Sequence, residues 1–109
     1  MTKRAFPRED TQTDGAVATK PKPKLKRPPM YRVVLLNDDF TPMDFVVAVL
    51  QSVFDKDKTE ATEIMLQIHR TGIGVCGVYP FEIAETKAAQ VMDMAERSMH
   101  PLQCRIERV

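Results

Sequence analysis

Asn37, Asp38 and Asp39, followed closely by the hydroxyl of Thr41, form the densest polar cluster in this sequence. One amide oxygen and two carboxylates in so short a segment suit a small cation that carries several N–H donors. The α-amino group of a polypeptide is such a cation, since its pKa of about 7.7–8.0 leaves it largely charged at neutral pH. Hydrogen bonds to a charged group contribute roughly 1.5–3 kcal/mol, and a donor left unpaired in a dry pocket costs a similar amount. The ligand therefore needs oxygen or neutral imidazole on several sides. His69 supplies the imidazole if its helix faces the same turn. Met43, Val46, Met65 and Ile68 belong to the two helices that would flank that turn, and methionine lines adaptable apolar pockets because it is unbranched and polarisable. Plainer duties fit the same residues: Asn and Asp make turns by bonding nearby backbone, and the apolar four suit a core.

Catalysis and metal binding find less support. There is no Gly-x-Ser-x-Gly and no phosphate-cradling glycine loop, and His69 and His100 are not spaced as a metal pair. Asp39 and His69 could act as an acid/base pair, but no serine or cysteine nucleophile falls in a motif with either. Asp38 and Asp39 alone fall short of the six to eight oxygens that calcium takes. Cys76 and Cys104 lack the spacing of a zinc site or a redox pair and read as buried reduced thiols. A binding module is expected rather than an enzyme, with no cofactor and no metal.

The elements that must position these residues follow from patterning. Residues 31–36 are β-branched, aromatic and aliphatic, which reads as a strand ended by the Asn37-Asp38-Asp39 turn. Thr41-Pro42-Met43-Asp44 predicts a helix start with Thr41 at N-cap, Pro42 at N1 and an acid at N3; Val46, Val49, Leu50 and Val53 carry the helix to Phe54. A second helix is capped by Asp57, turns Ala61, Ile64, Met65 and Ile68 inward, and stops at Gly72. Residues 74–79 read as a buried strand in which Gly77 lets another backbone approach. A third helix is expected from Phe81 to Met99, halted by Pro101, then a strand over 102–108 with one wet face. The order β-α-α-β-α-β predicts an α+β two-layer sandwich: a three-stranded, mainly antiparallel sheet with three helices on one face. So small a domain leaves little volume for a deep cleft, so a shallow surface pocket is expected.

The chain has 109 residues, 43% hydrophobic and 28% charged with net charge +1, which suits one globular domain. No run nears the roughly 18 apolar residues of a membrane span, and no secretory signal pattern opens the chain, so the cytoplasm is expected and no membrane association. Residues 1–29 carry eight Lys or Arg against three acids, whereas 30–109 carry eight against twelve. Proline and basic residues alternate over 20–29, so 1–29 is expected to be a disordered arm and 30–109 the folded domain. A basic arm can mean nucleic acid, but the net-acidic domain shows no basic stripe with interleaved aromatics, so no nucleic acid is expected.

Residues 31–46 (Tyr-Arg-Val-Val-Leu-Leu-Asn-Asp-Asp-Phe-Thr-Pro-Met-Asp-Phe-Val), Met-Leu-Gln-Ile-His at 65–69, Val-Cys-Gly-Val-Tyr at 75–79, Ala-Glu-Thr-Lys at 84–87 and His-Pro-Leu-Gln-Cys at 100–104 together closely resemble the ClpS family. The resemblance spans about residues 30–109 in a single register. It implies an adaptor of the ATP-dependent Clp protease, a monomer that binds N-degrons beginning with Leu, Phe, Tyr or Trp and delivers them to the N-terminal domain of the ClpA unfoldase for degradation by ClpP. Carried over by position, Asn37, Asp38 and His69 would hold the α-amino group, and Asp39 and Thr41 would contact the first peptide units. Met43, Val46, Met65, Ile68 and Leu102 would line the side-chain pocket, with Met43 at its mouth excluding β-branched residues. Glu82 and Lys87 would touch the unfoldase, and the arm would serve substrate handover. Two positions depart from the family pattern: Ile68 stands where valine is common, which implies a narrower pocket, and Pro80 replaces a capping hydroxyl.

Overall fold

The computed structural model describes residues 28–109; of the expected arm, residues 1–27 lie outside the described part. The elements are β1 (Met30–Leu36), α1 (Met43–Phe54), α2 (Lys58–Thr71), β2 (Ile73–Pro80), α3 (Phe81–Arg97) and β3 (Gln103–Arg108). The strands form one antiparallel sheet in the order β2-β1-β3, as the α+β reading required. The most apolar strand, β1, takes the centre. From it Val33 and Leu35 meet Val49 and Leu50 of α1, Ala61 and Ile68 of α2, and Ala84, Val91 and Ala95 of α3.

Local chemistry explains where the helices start and stop. The Asp57 carboxylate accepts the Glu60 N–H at 2.8 Å and caps α2. At the other end Gly72 adopts φ +92°, which a Cβ would disfavour, and its N–H reaches the Ile68 carbonyl at 2.8 Å. The start of α1 corrects the expectation. Pro42, not Thr41, is the N-cap, its carbonyl accepting the Phe45 and Val46 N–H groups, because the Thr41 hydroxyl is drawn back to Asp38 instead. The last helix ends at Arg97, before Pro101 can act: Met99 turns to φ 60° and breaks the helical run first. Pro80 is the N-cap of α3 and makes no side-chain capping bond, as an imino acid must.

Two features of β2 differ from the sequence reading. It is an edge strand with one face in solvent, since Val75 and Val78 are exposed while Gly74 and Cys76 are buried. The inward side changes parity because a bulge interrupts the register, Val33 pairing with Gly77 and Val34 with Val75. Nor does Gly77 admit a backbone: a Cβ there would collide with the Tyr79 side chain, which folds back over it. Gly74 does secure a close approach, because a Cβ would lie 2.5 Å from Cγ1 of Ile68 and push α2 off the sheet.

Candidate functional site

The acceptor cluster and the imidazole meet because two chain ends are tied together. Where β1 stops, the Asn37 N–H donates to the Gly72 carbonyl at 2.9 Å, fixing the turn after β1 against the end of α2 that carries His69. Below this junction, α1 and α2 are joined by the short link at 55–57 and share one core with the sheet.

Between them lies a cavity of about 160 Å³ that brings together all ten residues expected to hold a ligand: Asn37, Asp38, Asp39, Thr41, Met43, Val46, Met65, Ile68, His69 and Leu102. Leu36 also lines it and was not foreseen; its place as the last strand residue before the turn was the one signal that pointed to it. Val46, Ile68 and Leu102 are buried and form the floor, 7%, 3% and 1% exposed, whereas Asn37, Asp39 and His69 stand exposed at the rim. Met43 is 45% exposed at the mouth. Size limits the guest, since an apolar cavity of about 150 Å³ holds a benzene ring. A single bulky hydrophobic side chain therefore fits.

The two aspartates do different work. Asp38 is committed to the turn: one carboxylate oxygen accepts the Phe40 and Thr41 N–H groups at 2.8 and 2.7 Å, and the other accepts the Thr41 hydroxyl at 2.7 Å. Partial burial pushes its pKa upward, but the Thr41 hydroxyl, the two N–H donors and the neighbouring His100 together outweigh that and hold it below the usual carboxylate value. Asp39 makes no side-chain hydrogen bond among the described residues, so its oxygens stand open at the rim. His100, from the α3–β3 link, packs its ring edge-on against Phe45 of α1 at 4.6 Å.

Glu82 and Lys87 do not line the cavity. Glu82 is exposed in the first turn of α3. Lys87 acts locally, its ammonium donating to the Val53 carbonyl at 2.8 Å and so satisfying an open acceptor at the end of α1; it also lies 5.8 Å from the Tyr79 ring centroid. Cys76 is buried as expected but Cys104 is only half-buried; desolvation pushes the first thiol up to about 12 and the second to about 11, which keeps both protonated at neutral pH. Among the described residues no group of three or more His, Cys, Asp or Glu is placed to hold a metal ion, and no helix is long and apolar enough to cross a membrane.

Fold and cavity together define a small α+β module with one amphipathic pocket at the end of its central strand. The chain belongs to the ClpS family, described as ATP-dependent Clp protease adaptor protein ClpS, which matches residues 26–105. A ClpS adapter protein of Phenylobacterium zucineum is 60% identical over 94 residues, covering 86% of each chain. One from Maricaulis maris is 52% identical over 108 residues, covering 99% of each. Among solved structures, Agrobacterium tumefaciens ClpS2 bound to L-phenylalaninamide is similar with a TM-score of 0.74 at 40% identity, covering 76% of this chain and 100% of that one. This chain is thus an adaptor of the Clp protease by family, which agrees with the binding module expected from its residues.

Proposed function

We propose that this chain is an N-degron adaptor: it binds substrates by their free α-amino group and bulky hydrophobic first side chain, Leu, Phe, Tyr or Trp, and delivers them to a ClpA-type unfoldase. In this reading Asn37, Asp38 and His69 hold the amino group, Asp38 chiefly by keeping the turn in shape, and Asp39 and Thr41 meet the first peptide units. Met43 guards the mouth against β-branched side chains, and the floor of Val46, Met65, Ile68 and Leu102 takes the side chain. The observation that carries the reading is a ring-sized apolar cavity under a rim of open acceptors. A relative's complex with L-phenylalaninamide adds support, because that ligand joins a free amino group to a phenyl ring.

No chemical step belongs to this function, and no cofactor. Delivery would use Glu82 and Lys87 on α3 as contacts for the unfoldase's N-terminal domain, with the adaptor acting as a monomer in the cytoplasm. Fluorescence titration with ten-residue peptides that differ only at their first residue tests the binding. Peptides starting with Leu or Phe should bind in the micromolar range or tighter, and acetylating the amino group should weaken binding at least tenfold by removing the cation and a donor. Equal affinity for the acetylated peptide refutes the proposal.

A further inference from the structure

A second hollow, of about 410 Å³, lies between α1 and α2 and shares Met43 and Met65 with the first. It is a groove along α1 and α2, with Asp44 next to Met43, with Val47, Ala48 and Thr62 along its length, and with Gln51 and Lys58 at the far end. Its walls keep accessible surface: Ala48 is exposed, and Val47 and Thr62 are half-buried, with Val47 and Met65 also packing against the core. We infer that this groove holds residues two to four of the polypeptide whose first residue fills the cavity, in extended form, and that it favours apolar side chains at positions two and three. The inference rests on the function proposed above and adds a sequence preference beyond the first residue.

Three observations carry it. First, the two hollows share Met43 and Met65 as lining, so a chain anchored in the cavity that leaves over this pair meets a mainly apolar wall next. Secondly, the length fits. Met43 to Gln51 is eight residues of helix, about 12 Å at 1.5 Å per residue, and an extended chain covers that span with about three to four residues at 3.3–3.6 Å each. Thirdly, the wall chemistry is selective. Two thioethers that can re-pack, together with Val47 and Ala48, reward apolar side chains of varied shape without specifying one. Lys58 places a cation at the groove's end, on the first residue of α2, which favours an acidic residue at about position four.

The test uses three ligands: L-phenylalaninamide, a ten-residue peptide beginning Phe-Gly-Gly and one beginning Phe-Leu-Leu. The full-length protein should bind the Phe-Leu-Leu peptide about tenfold more tightly than the Phe-Gly-Gly peptide, the effect of burying part of two side chains. Ala48→Phe, which fills the groove from an exposed helical position, should erase that tenfold gain and leave L-phenylalaninamide affinity unchanged. Lys58→Glu should reverse a preference for Asp over Lys at position four. If L-phenylalaninamide binds but the two peptides bind alike, or if the gain survives Ala48→Phe, the groove assignment is overturned and the pocket reading stands. If L-phenylalaninamide does not bind, both fall together.

Discussion

Polar groups on the open face of the sheet and polar groups at the end of its central strand are treated in opposite ways. On the open face Arg32 and Arg105 both reach Glu107, at 3.0 and 2.9 Å, and the cross-strand partners satisfy one another above a buried Val34. At the strand end, Asn37, Asp39 and His69 have no side-chain partner among the described residues and surround a hollow. The first arrangement seals a surface. The second leaves acceptor capacity unspent beside apolar walls, and unspent capacity is what a ligand with both a charge and a hydrophobic group can use. Even within the rim the contrast recurs, for Asp38 spends its oxygens on the turn while Asp39 keeps its own.

That contrast can be broken by mutation. Leu102 is 1% exposed on the cavity floor, so Leu102→Ala should cost about 2–5 kcal/mol in urea unfolding and abolish binding of a Phe-starting peptide. Val78→Ala on the open face, where Val78 is 47% exposed, should cost well under half as much and leave binding intact. Comparable losses at the two sites would erase the distinction.

A smaller effect is expected from Asp38→Ala, which removes three hydrogen bonds from the turn: about 1 kcal/mol of stability, with affinity falling alongside it. Acid offers the same experiment without mutation. The folded-state pKa of Asp38 lies below its unfolded value, so its contribution is complete above about pH 4 and is lost as pH falls through the lower, folded value. The difference in unfolding midpoint between wild type and Asp38→Ala should therefore shrink toward zero on acidification; a constant gap would contradict the role given to this carboxylate.

Asp39→Asn sharpens the comparison within the rim. On the proposed function, stability should move by no more than about 0.5 kcal/mol while peptide affinity drops about tenfold, because the lost charge would face the ligand and has no side-chain partner among the described residues. Least of all is expected of Glu107→Gln, which should lower the melting temperature slightly and more so at low salt, with no change in peptide affinity by the same titration.

Much of this molecule is legible in its residues alone. Strand β1, the Asp57 and Gly72 ends of α2 and the order of all six elements follow from local rules of capping, turn chemistry and periodicity, each of which acts within a few residues. The identities of the expected rim and floor residues are legible too: acceptor chemistry and helical spacing single out all of them but Leu102, which the resemblance to one family adds. Harder to read are contacts between side chains with competing partners. Thr41 is a reasonable N-cap until the Asp38 carboxylate claims its hydroxyl, and Lys87 a solvated charge until the end of α1 is found beside it.

The sequence by itself determined which segments would be helix or strand and which residue types could make an amphipathic pocket, because periodicity and capping are short-range. Only the tertiary structure decided that the pocket exists as one cavity. Its closure depends on the Asn37-to-Gly72 hydrogen bond across 35 positions, on Gly74 letting Ile68 sit against the sheet, and on Leu102 arriving from the far end of the chain. Those distances are set by packing between elements, which no local pattern encodes.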